Sequence, residues 1–142
     1  MQTVESILER DGVFTRMAKG HSMYPMIRSC RDQIIVEKLT RAPKLYEVVL
    51  YKRECGTYTL HRVIRKKGDV YIIWGDNCDY VEEIALDQIL GVLVGFYRGN
   101  KYIDCRKNIL YKIYSVSWRF VRPFYRLIRP LGSKIKRKLN RK

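Results

Sequence analysis

The sequence predicts a mostly β domain followed by a C-terminal amphipathic helix. Short β-rich runs separated by turn residues fill residues 13–97, and helical periodicity takes over from Ile109 to Leu131. With 142 residues, 46% of them hydrophobic, the chain can form one domain with a buried core. We therefore divide it into a β domain, residues 1–104, and a basic helical tail, residues 105–142.

The elements of the β domain follow one another at short intervals. A helix is predicted over residues 3–10, ended by Asp11-Gly12. Residues 58–65 alternate as a half-buried strand does, and the Lys67-Gly68-Asp69 turn joins them to the next run as a hairpin. A helical turn is predicted at Glu83–Gln88. The predicted strands are Val13–Lys19, Gln33–Lys38, Glu47–Lys52, Tyr58–Arg65, Val70–Trp74 and Leu90–Tyr97.

The tail has two chemically different sides when it is projected at about 100° per residue. Its prolines predict a kink at Pro123 and an end near Pro130, because proline lacks the helical N–H donor. One side carries Lys112, Arg119, Arg122, Arg126 and Arg129, and the other carries Leu110, Ile113, Phe120, Val121, Phe124 and Ile128.

The formal net charge of +15 is concentrated in the tail. Residues 98–142 contain 15 Lys and Arg and one acid, whereas residues 1–97 contain 14 Lys and Arg and 13 acids. Such asymmetry favours contact with an anionic surface. We predict an interfacial helix on an anionic membrane, with Trp118, Arg119, Arg122, Phe124 and Arg126 as the contact residues.

Two other roles for the tail are compatible with its pattern. Its apolar stripe could pack on the β domain or on a second copy of the chain, and the sequence does not give an oligomeric state. Nucleic acid is the weaker alternative, because no nucleic-acid-reading motif is evident.

The cysteines and the N-terminus indicate a cytoplasmic protein or one bound to the inner face of the membrane. Four scattered cysteines without a C-x-x-C pair favour neither a zinc site nor a disulfide framework, and no cofactor is predicted. The N-terminus has no signal-peptide core, and no apolar run approaches the roughly 20 residues of a membrane span.

Three segments carry the residue types of an acyl-transfer site. Ser22 lies in GHSMYPM, His61 in TLHRVI, and Asp76 and Asp79 in WGDNCD. A serine hydroxyl needs a base within about 3 Å, and a third group improves the base by fixing its tautomer. Each residue also has an ordinary alternative: Ser22 as a turn residue, His61 as a packed strand residue, and Asp76 as an Asx-turn residue.

Four short motifs follow one another within residues 18–100: Ser22-Met23-x-Pro25, Val48-Val49, His61-Arg62-Val63-Ile64 and Gly75-Asp76-Asn77. In this order and spacing they resemble the type I signal peptidase family. Bacterial members have a lysine where this chain has His61, whereas endoplasmic-reticulum-type members have a histidine in the same His-Arg-Val context. The resemblance is therefore closest to the Ser-His branch.

The resemblance implies a fold, a reaction and a catalytic set. The fold is a twisted antiparallel β-barrel or sandwich, and the reaction is hydrolysis of a peptide bond in a leader-bearing peptide or pre-protein through an acyl-enzyme. Ser22 would be the nucleophile and His61 the general base, with Asp76 or, alternatively, Asp79 orienting the histidine. A non-catalytic peptide-binding or regulatory relative of the same fold is the alternative function.

The resemblance also assigns residues around the nucleophile to substrate binding and the oxyanion site. Gly20 stands where some members carry a hydroxyl donor to the oxyanion, and the backbone N–H of Ser22 would be one donor. Met23 would line the substrate cleft, and Pro25 would fix the turn after the nucleophile.

Overall fold

Within the part of the chain that the structure describes, an antiparallel sheet of eight strands makes up most of the molecule. The structure is a computed structural model that describes residues 2–139, with side chains described to residue 128. The elements are α1 Val4–Asp11, β1 Val13–Met17, β2 Asp32–Lys38, β3 Val48–Lys52, β4 Tyr58–Lys67, β5 Val70–Trp74, β6 Val81–Ala85, a 3-10 turn Leu86–Gln88, β7 Ile89–Arg98, β8 Lys101–Asp104 and α2 Ile109–Leu139.

The sheet is open. Its strands run in the order β1-β2-β7-β3-β4-β5-β6, and β8 pairs with the second half of β7. Over residues 2–139, β1 and β6 form the two ends of this order and do not pair with each other. The predicted mostly β, antiparallel architecture with a C-terminal helix is thus confirmed, but the sheet is not a hydrogen-bonded barrel.

Strand β3 lies at the centre of the core because both of its faces are apolar. Val48 and Leu50 belong to one buried cluster, and Val49 and Tyr51 belong to another, as the alternation of strand side chains requires. The first cluster is covered by Leu8 of α1 and by the loop between β1 and β2. Residues 48–51 therefore form a continuous apolar run in the sequence.

Two stretches of the sheet differ from the sequence predictions. The helical turn predicted at Glu83–Gln88 is wrong at its start, because Glu83–Ala85 continue β6 and pair with β5; only Leu86–Gln88 turn as a 3-10 helix. Ile84, which is 4% exposed, anchors β6 in the second cluster. Strand β8 was not predicted, and it forms after the Gly99-Asn100 turn.

Helix α2 begins at a polar cap and runs through both of its prolines. Asn108 caps its start, because the side-chain oxygen of Asn108 accepts a hydrogen bond from the N–H of Tyr111 at 2.9 Å. The predicted end near Pro130 is wrong, since α2 continues to Leu139; a proline removes one backbone donor without necessarily ending a helix. Across residues 2–139, neither helix combines the length and the apolar character needed to cross a lipid bilayer.

Helix α2 packs on the sheet through its aromatic side. Tyr111, Ser115 and Trp118 are each no more than 7% exposed. The apolar stripe of α2 is exposed, so the alternative in which it packs on the β domain is wrong. The division into two domains at residue 105 stays a prediction. The basic run at residues 133–142 lies outside the residues whose side chains are described.

Candidate active site

Ser22 lies in the loop between β1 and β2, and polar contacts tie the ends of that loop together. The N–H of Ala18 donates to the carbonyl of Asp32 at 2.8 Å, and the N–H of Cys30 donates to the carbonyl of Ala18 at 2.8 Å. Gly20 has a φ of 80°, a left-handed conformation that glycine adopts without strain. The chain therefore turns just before Ser22, and half-buried Ser22 lines a cavity of about 510 Å³.

His61 lies on β4, is 1% exposed, and lines the same cavity as Ser22. Its Nδ1 is 3.2 Å from the hydroxyl of Tyr51 and 3.1 Å from the carboxylate of Glu82. Its Nε2 faces the thiol of Cys78 at 3.8 Å. A neutral ring that directs its Nδ1–H at this carboxylate has its basic lone pair on Nε2, the nitrogen that a general base uses.

Gly75 lets the Ser22 turn approach His61. A Cβ on Gly75 would stand 2.8 Å from Nε2 of His61 and 2.9 Å from the carbonyl oxygen of Ser22. Any side chain at this position would therefore collide with both groups, and glycine is the residue that permits the close approach. Among the described residues, no hydrogen bond joins the Ser22 hydroxyl to His61, and the predicted dyad stays a prediction.

Asn77 fastens the same turn to the loop after β5. Its backbone N–H donates to the carbonyl of Ser22 at 2.7 Å, and its side-chain amide donates to the carbonyl of His21 at 3.1 Å. The Gly75-Asp76-Asn77 motif thus positions the main chain of the candidate nucleophile.

Asp76 does not orient His61, contrary to prediction. It is fully buried, and its two oxygens accept hydrogen bonds from Arg62 at 2.8 and 2.7 Å, with a further bond from the hydroxyl of Tyr114 at 3.0 Å. His61 and Arg62 are neighbours on one strand and face opposite sides. Asp76 lies on the Arg62 side of the strand, so its carboxylate pairs with Arg62 and not with His61.

Asp79, the alternative orienting residue, is also wrong for that role. Its side chain is 62% exposed and pairs with Arg122 at 2.8 Å and with Arg126 on α2. The carboxylate at His61 is Glu82 on β6, which the sequence analysis missed. Arg53 holds Glu82 through two hydrogen bonds of 2.8 and 2.7 Å, and the Tyr51 hydroxyl donates to it at 2.5 Å.

Burial decides the charge of His61, and hydrogen bonds decide the charge of Glu82. Burial lowers the pKa of His61 to about 4, although the Glu82 carboxylate acts in the opposite direction. Burial also acts to raise the pKa of Glu82, but the hydrogen bonds from Arg53 and Tyr51 outweigh it and leave that pKa lowered. At neutral pH the site therefore contains a neutral imidazole beside an ionised carboxylate.

The remaining residues near the cavity have varied surroundings. Gly20 and Met23 line it, although Met23 is 5% exposed and also packs in the core, and Pro25 is not among the lining residues.

Burial raises the pKa of Cys78, so its thiol stays protonated at neutral pH. Within the described residues, no three His, Cys, Asp or Glu side chains cluster as metal ligands.

The residues predicted to contact a membrane divide into two groups. Trp118 is 7% exposed and donates its indole N–H to the carbonyl of Asp76 at 2.8 Å, and Arg122 lies over the ring of Trp74 at 5.0 Å. These two face the β domain, which corrects their predicted role. Arg119, Phe124 and Arg126 are exposed, and Arg126 pairs with Asp79.

A comparison with protein-family models found no matching family, and a comparison with curated proteins found no matching sequence.

Proposed function

We propose that this protein is a serine endopeptidase that cleaves a leader-bearing peptide or pre-protein, with Ser22 as nucleophile and His61 as general base. One observation carries the proposal: Ser22 and a buried, neutral His61 line the same cavity, on either side of a glycine that has no room for a side chain.

The chemistry follows from this arrangement. Nε2 of His61 accepts the Ser22 hydroxyl proton as Oγ attacks the scissile carbonyl carbon, and the imidazolium then donates that proton to the leaving amine. Water, deprotonated by the same nitrogen, hydrolyses the ester and regenerates Ser22. Glu82 stabilises the imidazolium through Nδ1, and the N–H of Ser22 would be one donor to the oxyanion.

The proposal requires the Ser22 hydroxyl to come within hydrogen-bond distance of Nε2 when substrate is bound. Catalytic hydrogen bonds are often long without substrate and shorten in the complex. The thiol of Cys78, now 3.8 Å from Nε2, would be replaced by the hydroxyl as the polar neighbour of that nitrogen.

The walls of the cavity suit an extended peptide. Strand β1 pairs with β2 on one side and forms one end of the described sheet, so its outer main-chain groups can pair with a substrate strand. Strand β1 leads directly into the Ser22 loop, which brings a bound peptide to the nucleophile. Apolar side chains from Phe14, Met23 and Leu60 line the same space.

One observation favours a second function, a peptide-binding module that does not cleave. The polar neighbour of Nε2 is the Cys78 thiol rather than the Ser22 hydroxyl. A module of this kind would keep the cavity and the free edge of β1 and would lack the acyl-enzyme.

A serine-directed acylating probe separates the two functions. We expect the purified protein to gain one probe mass, the Ser22→Ala variant to gain none, and the His61→Ala variant to react about 10²- to 10⁴-fold more slowly. Ser29→Ala, in the same loop, is the matched control and should react as the unchanged protein does. Labelling that survives Ser22→Ala would contradict the nucleophile, and peptide binding without any labelling would support the second function.

A further inference from the structure

Helix α2 exposes a broad apolar face to solvent. Seven large apolar side chains between residues 109 and 128 are 60–75% exposed, and at about 100° per residue they share one arc roughly 100° wide. We call this surface the apolar face; it includes Leu110, Ile113, Phe120, Phe124, Leu127 and Ile128.

The apolar face lies opposite the side of α2 that packs on the sheet. Tyr111 and Trp118 are buried against the β domain, and Ser115 accepts a hydrogen bond from Arg62 at 2.8 Å. A helix at the surface of a globular protein ordinarily buries its apolar stripe. Here the aromatic and polar side is buried instead, so the apolar face is a candidate binding surface.

Cations border the apolar face along one edge. Lys112 and Arg119 follow one another two turns apart, both are exposed, and no described acid pairs with either. No acid occurs in residues 105–142, which contain 13 Lys and Arg. A partner that fits this surface is apolar where it meets Phe120 and Phe124 and anionic alongside them.

A second copy of the chain fits this description poorly. Pairing two apolar faces would bring together two chains of net charge +15 and would place like charges at the borders. An anionic bilayer supplies both required properties, with acyl chains below and phosphate groups beside them.

We propose that the apolar face of α2 inserts into the headgroup region of an anionic lipid bilayer, with the helix axis parallel to the membrane and Lys112 and Arg119 against lipid phosphates. This attachment differs from the contact set predicted from sequence, because Trp118 and Arg122 stay on the β domain. The attachment is independent of the chemistry at Ser22.

Co-sedimentation of the full chain with vesicles tests the attachment. We expect binding to phosphatidylcholine vesicles that contain phosphatidylglycerol, weaker binding to pure phosphatidylcholine, and a decrease with added salt. Replacing Phe120 and Phe124 together by serine should lower the partition coefficient more than tenfold. The matched control replaces Leu45 and Leu86, exposed apolar residues of the β domain, by serine and should bind as the unchanged protein does.

Charge reversal tests the cationic edge separately. Arg119→Glu should lower binding to anionic vesicles severalfold and reduce its salt dependence, whereas Lys67→Glu, an exposed cation on β4, should have a smaller effect. Equal binding to both vesicle types, or equal effects of the two reversals, would overturn the assignment to an anionic bilayer.

A fluorescence measurement tests insertion of the apolar face without relying on variants that lose binding. Both native tryptophans are buried, so the Phe124→Trp variant adds the one exposed indole among the described side chains. Its emission should shift to shorter wavelength with anionic vesicles. No shift would overturn the proposal. A concentration-dependent dimer that loses its stability on replacement of Phe120 and Phe124 would overturn it in favour of self-association.

Discussion

His61 and Arg62 are adjacent on β4, yet each faces a different side of the sheet and a different carboxylate. His61 faces the cavity and contacts Glu82, whose side chain is 24% exposed. Arg62 faces α2 and is held by fully buried Asp76, by the carbonyl of Tyr46 at 2.9 Å and by the Ser115 hydroxyl.

The difference shows that the two faces of β4 contribute to clusters with different roles. On the Arg62 side, every oxygen of Asp76 has a donor, and the ion pair joins the strand, the loop and the helix. On the His61 side, the ring keeps Nε2 free of a strong donor, because the Cys78 thiol is a weak hydrogen-bonding group. The fully paired Arg62–Asp76 cluster stabilises the fold, whereas the His61–Glu82 cluster leaves Nε2 of His61 available for chemistry.

Removing Asp76 should produce the largest loss of stability. Asp76→Ala leaves the buried guanidinium of Arg62 without its carboxylate, and we expect the free energy of unfolding to fall by about 3–5 kcal/mol in urea denaturation. The control Asp79→Ala removes an exposed acid that also contacts arginines and should change the midpoint little. Equal midpoints for the two variants would show that the buried pair does not stabilise the fold.

Neutralising Glu82 should mainly affect catalysis. In the proposed mechanism, Glu82→Gln removes the charge that stabilises the His61 imidazolium, and we expect kcat to fall on the order of 10²- to 10⁴-fold with little change in KM. Glu83→Gln, the exposed neighbour on β6, serves as the matched control. If the two variants retain the same kcat, Glu82 does not position the base.

The pH profile sharpens the same test. Because burial lowers the pKa of His61 to about 4, the proposed peptidase activity should persist to about pH 5 and decline as the pH approaches 4. Glu82 acts to raise that pKa, so Glu82→Gln should move the decline to lower pH. The unfolded state, with a histidine pKa near 6.5, takes up the proton first, so this group makes the fold less stable as pH falls from about 6.5 to 4.

The smallest effect is expected at the contact between α2 and the loop after β5. Trp118→Phe removes the indole N–H that donates to the Asp76 carbonyl and keeps an aromatic ring beside Tyr114. We expect a loss of about 1–3 kcal/mol in the free energy of unfolding, because the buried Asp76 carbonyl loses its donor. Phe120→Tyr, on the exposed side of the same helix, should leave stability unchanged; a loss of the same size there would mean that the hydrogen bond is not the cause.

Local patterns predicted much of the fold. The alternation in Tyr58–Arg65 and the Lys67-Gly68-Asp69 turn predicted the β4–β5 hairpin, and the Asp11-Gly12 stop predicted the end of α1, because each signal lies within a few residues. Strand β6 was missed because its acidic residues resemble those of a helical turn, and its pairing with β5 decides its conformation.

The candidate site was harder to predict beyond Ser22 and His61. Glu82 meets Tyr51 and His61 because three separate strands fold together, and spacing along the chain does not reveal that contact. Helical periodicity showed which residues of α2 share a side, but it did not show which side faces the sheet. Trp118 was therefore assigned to the membrane, although it binds the carbonyl of Asp76.

The hydrogen bonds of Asp76 and Asn77 have a consequence for how the protein can be shortened. Trp118 holds the Asp76 carbonyl, and the next residue, Asn77, holds the Ser22 carbonyl. Deleting the tail to obtain a more soluble protein would remove this support and uncover Trp74 and Asp76. Polar substitutions on the apolar face are a better route to a soluble version, because they keep the hydrogen bonds from Trp118 to Asp76 and from Asn77 to Ser22.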